Sequence, residues 1–385
     1  MINPTNRLVI VGGGPAAHAA ASAVRQAGWM GELLMVGADR HPPYDRTNLS
    51  KRYLLEPDLP LEKIMLPAPD AEVRTGTSVA VLHPEQHQVE LESGERIGYD
   101  RVLLATGGHP RTLPDYPDAI YLRWIQDADR IRRLLAGEGR VDIVGAGFIG
   151  CEVASAARQR GREVTLYEAL AQPLLRVLGP VLGEMVAELH RQRGVELLTG
   201  VDELPEPRED LVVGVGTLPN QELARAAGIE CENGILVDEL GRTSVPDVYA
   251  AGDCARFWSP ALESRIRVEH FQTAQRHGRA VGHNLAMPDA VEPFTQWPWF
   301  WTHQYDQEIQ YLGAGVPWDD LRFRGDVAVP PLVAFQLQGE RVVGVVTWDE
   351  NRAMTQIRRI LERRVQVTVD QLCDPDTDLR ALSHD

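Results

Sequence analysis

The sequence predicts an α/β fold in which two parallel-sheet units are followed by an α+β domain. A pattern of strand, glycine turn, helix and strand occurs twice, about 130 residues apart. Three further apolar runs, Arg101–Ala105, Leu211–Val215 and Val248–Ala251, each end in a glycine-containing turn, as strands of an open α/β sheet do where ligands collect. From Trp297 the character changes. The chain becomes aromatic, then Leu332–Leu337 and Arg341–Trp348 pattern as a hairpin, and a helix with basic residues is expected over Ala353–Arg364.

The first copy of the repeat starts with the strand Leu8–Val11. The turn Gly12-Gly13-Gly14-Pro15-Ala16-Ala17, an alanine-rich helix to Ala27-Gly28 and a second strand, Glu32–Val36, follow. The second copy has the strand Val141–Val144, the turn Gly145-Ala146-Gly147-Phe148-Ile149-Gly150, a helix to Arg160-Gly161 and the strand Glu163–Tyr167. In such a turn the first glycine allows a tight bend and the second lets backbone approach a pyrophosphate. The third small residue lets helix and strand pack closely. The helix N-terminus then offers free N–H groups and a positive dipole to the phosphates. Gly12, Gly14 and Ala17 form one fingerprint; Gly145, Gly147 and Gly150 form the other. Alone this signal is weak, but both copies follow a strand and open a helix. Two Rossmann-like dinucleotide-binding domains are therefore expected.

Each unit should close on an acid that holds a ribose. Glu168 fills this place in the second unit, and its charge repels a 2′-phosphate, which favours NADH over NADPH. In the first unit the expected position is Ala38, with Asp39 next to it. Asp39 either takes the ribose from one residue further on or is a solvated surface aspartate.

Composition excludes several classes. With a net charge of −16 the chain is poorly suited to nucleic acid, whose phosphates require a basic face. No run of apolar residues is long enough for a membrane span, and Met1–Asn6 has no signal-peptide character, so a cytoplasmic location is expected. Cys151, Cys231, Cys254 and Cys373 are scattered without a C-x-x-C pair, which argues for reduced thiols and against a metal site, a disulfide framework or a dithiol centre. The basic residues are nearly all arginine, so the two lysines, Lys51 and Lys63, stand out.

At this point the chain resembles a known family. Pro43-Tyr44-Asp45-Arg46-Thr47-Asn48-Leu49-Ser50-Lys51 looks like the P-Y-x-R-P-P-L-S-K segment of ferredoxin and rubredoxin reductases. Leu103–Gly107, Tyr121–Arg123 with Asp127-Ala128, Gly145–Glu152, Gly214–Gly216 with Pro219-Asn220, Tyr249–Asp253, Val268-Glu269 and Trp299–Tyr305 match in order, so the resemblance covers essentially the whole chain. The L-S-K and F-W-x-x-Q-Y segments are the specific ones; A-T-G and G-D are shared by many flavoproteins. Departures are Thr47-Asn48 in place of Pro-Pro, Phe271 where tryptophan or valine is common, and short stretches at Met65–Gly76 and Leu204–Asp210.

The resemblance implies a glutathione-reductase-like arrangement: an FAD-binding domain over residues 1–108 and 227–295, an NAD-binding domain over 109–226 and a C-terminal α+β domain over 296–385. It implies FAD at Gly12, Gly14, Pro15, Ala16, Ala17, Asp39, Arg46, Lys51, Val79, Ala105, Thr106, Gly107, Arg123, Gly252, Asp253, Val268, Glu269 and Trp301. It implies NADH at Gly145, Gly147, Phe148, Ile149, Gly150, Glu152, Glu168, Arg176 and Gly216. Lys51, Glu152 and Trp301 would be the catalytic group, with no metal. Lys51 and Glu152 match a flavin-side pair, the ammonium stabilising negative charge near the flavin N1/N5; the alternative is a simple interdomain salt bridge. Trp301 matches an aromatic that stacks on flavin or nicotinamide, the alternative being ordinary core packing, which is the reading for Trp297 and Trp299.

The implied partner is an acidic iron–sulfur carrier, a [2Fe–2S] ferredoxin of a Rieske dioxygenase or P450 system. It would dock on a local basic patch for which Arg352, Arg358, Arg359, Arg363 and Arg364 are candidates, a solvated helix face being the alternative. Rubredoxin reduction and an AIF-like, NADH-gated interaction flavoprotein remain as other readings. A flavin disulfide reductase or NADH oxidase would need a cysteine that Asp45–Lys51 lacks. The motifs leave the oligomeric state open.

Overall fold

The computed structural model describes residues 6–324 and 330–383. The chain divides into two compact units. One comprises Met1–Asp45, Ile64–His109 and Leu218–Phe300, the other Arg46–Lys63, Pro110–Thr217 and Trp301–Asp385.

The first unit is built on a five-stranded parallel sheet in the order Val248–Ala250, Arg101–Leu104, Arg7–Val11, Glu32–Val36, Glu72–Arg74. The central Leu8, Val9 and Ile10 are fully buried, as a strand covered on both faces requires. The expected strands at 8–11, 32–36, 101–105 and 248–251 form to within a residue. Glu72–Arg74 lies inside the short 65–76 stretch, which keeps an edge strand despite its length. The helix Pro15–Gln26 packs on the helix Phe271–Ala286 through small residues. A Cβ at Gly278 would stand 2.2 Å from the Ala16 carbonyl oxygen, and one at Gly282 2.5 Å from that of Ala20. Backbone thus lies against backbone, which explains the alanine run in the first helix. Two three-stranded sheets, Val79–His83 with Gln88–Leu91 and Arg96–Gly98, and Ile235–Val237 with Ala255–Ser259 and Ser264–Ile266, complete the unit.

The second unit contains a four-stranded parallel sheet in the order Val195–Thr199, Glu163–Glu168, Arg140–Val144, Val212–Val213. The last strand is shorter than the expected Leu211–Val215 because the chain turns at Gly214 to meet the glycine loop. In the short 204–210 stretch Arg208 ion-pairs with Asp142 of the central strand and, at 2.7 Å, with Asp210. The same unit carries a five-stranded sheet in the order Trp299–Gln304, Gln307–Gly313, Arg341–Trp348, Leu332–Gln338, Asp320–Arg324. The expected hairpin is its antiparallel centre. The helix Asn351–Glu362 packs on that sheet through Ala353, Met354, Ile357 and Ile360, an i, i+3, i+4 stripe. It ends at Glu362, so Arg363 and Arg364 of the expected Ala353–Arg364 helix lie beyond it.

Candidate functional site

In the first unit the strand Arg7–Val11 delivers its chain into Gly12 with φ 141°, a conformation closed to other residues, and a Cβ there would lie 2.1 Å from the Ala105 carbonyl oxygen. Gly14 caps the helix, a Cβ at Gly14 would meet nothing within 4 Å, and the first turn has neither a side-chain cap nor an acid. Open space above uncapped N–H groups fits a pyrophosphate. Pro15 opens the helix at a position that needs no N–H, and Ala16 and Ala17 are buried. Beside this loop Ala105 is buried, and Gly252, φ 80°, brings the Gly252-Asp253 turn against Ala16. Thr106 Oγ1 donates to the Asn220 carbonyl at 2.6 Å, Asn220 Nδ2 donates back to the Thr106 carbonyl at 2.8 Å, and Asn220 N–H donates to the Gly107 carbonyl at 2.9 Å. This lock holds the Ala105–Gly107 turn. Asn220 belonged to a recognised motif but was given no role.

The remaining candidates of this unit are more dispersed. Val79 begins its strand half-buried. Asp39 accepts from Tyr44 Oη at 2.9 Å and from His41 N–H at 3.1 Å, so it is a braced residue and not a free surface carboxylate. Arg267 donates to the Asp253 carbonyl at 3.3 Å and to Glu269 at 2.6 Å. Three buried polar atoms around Val268-Glu269, Arg267 Nε, His270 Nδ1 and Thr273 Oγ1, have no partner among the described residues. Buried polar groups are normally bonded, so these three are compatible with a polar ligand, although Tyr99 Oη, His277 Nε2 and Thr347 Oγ1 elsewhere are also without a partner among the described residues.

The second unit repeats the cradle more tightly. Gly145 has φ 95° and a Cβ there would stand 2.3 Å from the Gly214 carbonyl oxygen; at Gly150 it would stand 1.8 Å from the Gly145 carbonyl oxygen. Gly147 caps the helix Phe148–Gln159, which again has no side-chain cap and no acid in its first turn, and Ile149 is exposed there. Glu168 ends its strand with both carboxylate oxygens engaged, one on Ala146 N–H at 2.6 Å and one on Leu170 N–H at 2.8 Å, which aims the group at the loop. Gly216, φ 111°, accepts from Arg111 N–H, and Arg176 is exposed.

Glu152 occupies the first helix of this cradle and is buried. Its Oε2 accepts from Lys51 Nζ at 2.8 Å and from Ser50 Oγ; its Oε1 accepts from Thr302 Oγ1 at 2.6 Å. The side chains of Lys51 and Glu152 are only 16% and 3% exposed, so the pair is a desolvated, three-donor centre and not a surface bridge. Ser50 and Thr302 were not singled out from sequence, although each adjoins a candidate: Ser50 precedes Lys51, and Thr302 follows Trp301. Trp301 is half-buried, as is Trp299, whereas Trp297 is buried. Arg46 lies over the Trp124 ring at 4.4 Å, next to Arg123, whose N–H donates to Asp127 at 3.0 Å. Burial pushes the thiols of Cys151 and Cys254 up, so neither is a poised thiolate.

Two glycine loops with open, uncapped helix N-termini define a protein that can hold two dinucleotide pyrophosphates. The chain belongs to the pyridine nucleotide-disulphide oxidoreductase family, matched over residues 6–204 and 206–278, and residues 299–383 match the reductase C-terminal family. It is 33% identical over 414 residues to putidaredoxin reductase of Pseudomonas putida, covering 99% of this chain and 97% of that one. It is 35% identical over 401 residues to the ferredoxin–NAD(+) reductase component of the anthranilate 1,2-dioxygenase system of Burkholderia cepacia, covering 97% and 98%. The crystal structure of a covalent putidaredoxin reductase–putidaredoxin complex superposes with a TM-score of 0.92 at 33% identity, covering 99% of this chain and 98% of that one. The protein is an oxidoreductase of the FAD and pyridine-nucleotide class. No helix among the described residues is long and apolar enough to cross a membrane.

Proposed function

We propose that the protein is a cytoplasmic NADH-dependent reductase of a small iron–sulfur protein, a [2Fe–2S] ferredoxin serving an oxygenase. The observation that carries this reading is the Lys51–Glu152 centre, in a chain similar along its whole length to ferredoxin reductases. Bound FAD supplies the means of taking a hydride from NADH and releasing electrons singly. Residues 1–108 with 227–295 bind FAD in this reading, residues 109–226 bind NADH, and residues 296–385 face the partner.

The chain's own residues bind, align and set charge. The Gly12–Ala17 and Gly145–Gly150 loops receive pyrophosphates on open helix N-termini. Glu168 accepts from ribose hydroxyls and disfavours a 2′-phosphate. Glu152 fixes Lys51 Nζ, whose positive charge and proton would offset the negative charge that a flavin gathers on reduction. Trp301 supplies a ring face for stacking. Arg352, Arg359, Arg363 and Arg364 are exposed and Arg358 half-buried, a basic patch for an acidic partner.

The test is an absorption spectrum of the purified protein, followed by NADH and NADPH oxidation with a panel of [2Fe–2S] ferredoxins and a rubredoxin. A flavin spectrum, NADH preference and rapid reduction of one ferredoxin are expected. Rubredoxin as the only acceptor would replace the partner. A bound flavin that NADH reduces while no carrier accepts electrons would overturn the reading in favour of an AIF-like interaction flavoprotein.

A further inference from the structure

The helix Leu175–Gln192 breaks at Gly179, φ 78° and ψ 179°, just before Pro180. Proline has no N–H to offer the Arg176 carbonyl, and the positive φ of Gly179 takes the next turn away from the Val177 carbonyl. Gln336 replaces the lost bond: its Nε2 donates to the Val177 carbonyl at 2.6 Å. Gln336 is fully buried on the strand Leu332–Gln338. Its Oε1 accepts from Tyr311 Oη at 3.1 Å, and Tyr311 Oη accepts from Gly315 N–H at 3.1 Å. The donor direction therefore runs one way, from Gly315 through Tyr311 and Gln336 to Val177. Gly344 makes room for it, since a Cβ there would stand 2.2 Å from Gln336 Oε1.

The same turn is held at two further points. The Trp318 ring lies where a Cβ on Gly179 would be, at 2.5 Å. Leu174, φ 54°, donates its N–H to the Ala146 carbonyl at 3.1 Å, within the glycine loop that Glu168 braces. The Leu174–Leu178 turn is thus clamped between the glycine loop and the C-terminal sheet, and Arg176 projects from it exposed.

We propose that Gln336 and Trp318 are positioning residues for nucleotide binding, fixing this turn so that the Arg176 guanidinium meets the anionic dinucleotide. The inference rests on the reading of Arg176 as a nucleotide ligand. A carbonyl that has lost its helical donor, met by a buried amide from a distant strand, is a device for holding one backbone position, and the only exposed charge on the turn is Arg176.

The test uses the flavin-loaded full chain, with NAD+ binding by calorimetry and steady-state NADH kinetics. Gln336→Met keeps the shape without donor or acceptor. It should weaken NAD+ binding and raise the NADH KM about tenfold, the effect of one hydrogen bond lost at a buried carbonyl. The kcat at saturating NADH should stay within about twofold, as loss of uniform binding requires. Arg176→Ala should do the same, and the double variant should be no weaker than Arg176→Ala alone. Unchanged NAD+ affinity in Gln336→Met, with weakened binding in Arg176→Ala, overturns the proposal and leaves the nucleotide reading standing. No effect of Arg176→Ala overturns that reading as well, and additive effects in the double variant overturn the route through Arg176. Should Gln336→Met fail to fold, Trp318→Leu loosens the turn without touching the polar chain and should give the same KM shift; unchanged affinity there overturns the proposal.

Discussion

Replacing Lys51 by methionine and Glu152 by glutamine, singly and together, measures the centre on which the proposed function rests. At 2.8 Å and an effective dielectric of about 20 the gross attraction is about 6 kcal/mol. Desolvation of an ammonium and a carboxylate this well covered offsets half or more of it. A net coupling of about 1.5–3 kcal/mol remains, the range of charge-assisted hydrogen bonds and above the ~0.2–1 kcal/mol of exposed pairs. Glutamine keeps a neutral acceptor for Ser50 and Lys51, so the cycle reads the charge itself. In a cooperative unit of roughly 200 residues each kcal/mol moves the melting midpoint by about 2–4 °C, so the non-additive part should be about 3–12 °C with FAD saturating. Stopped-flow reduction of the flavin by NADH should slow about tenfold or more in each single variant. Midpoint shifts that simply add, with coupling below about 0.5 kcal/mol, would refute the desolvated pair.

Gly150→Ala places a methyl 1.8 Å from the Gly145 carbonyl oxygen, and the backbone must move. Overpacking of about 1–3 kcal/mol should lower kcat/KM for NADH by about 5–150-fold while FAD content and dithionite reduction stay normal, and loss of FAD instead would show that the two cradles are not independent. Glu168→Ser removes the acceptor for Ala146 and Leu170 N–H and should lower kcat/KM for NADH about 10–100-fold while raising the NADPH-to-NADH ratio; an unchanged ratio speaks against a ribose carboxylate. Acid stability should also change in His190→Gln. Burial lowers the His190 pKa to about 4, with the Gln304 bond working in the opposite direction. The unfolded chain takes up this proton near pH 6.5 and the folded chain only near 4, so stability falls as pH drops through that window, by on the order of 3 kcal/mol. The variant should flatten the slope by one proton in denaturation between pH 7 and 4.5, and an unaltered slope would mean that His190 titrates alike in the folded and unfolded chain.

What was legible in the sequence is what depends on neighbours a few residues apart. The strands at 8–11 and 32–36, the glycine turns and the Leu332–Trp348 hairpin come from local period and turn chemistry, and they form as read. The helix near the C-terminus, Asn351–Glu362, ends two residues before the expected Arg364, because arginines past its end continue the composition after the apolar stripe stops at Ile360. Ser50, Thr302 and Asn220 carry no signal of their own in the sequence although they lie within the family-like segments. Their roles arise from partners roughly 100 to 150 residues away, at Glu152 and Thr106, and no spacing rule reports such pairs. The sequence around Asp39 is compatible with a ribose ligand and with a solvated aspartate, and only the Tyr44 hydroxyl and His41 N–H distinguish a braced carboxylate from a solvated one.

The Gly278 and Gly282 contacts with Ala16 and Ala20 set an order of events during synthesis. The first helix to leave the ribosome finds its packing surface only after some 260 further residues have been made. Its sheet-facing side can pack on Leu8, Ile10, Leu33 and Met35 early, but until then the side that meets Phe271–Ala286 has no native cover, and the unit's sheet lacks Val248–Ala250 at one side. Such long-range closure is slow and leaves sticky surface in waiting, so a chain stalled or cut before residue 271 should be a client of chaperones and not a smaller working protein.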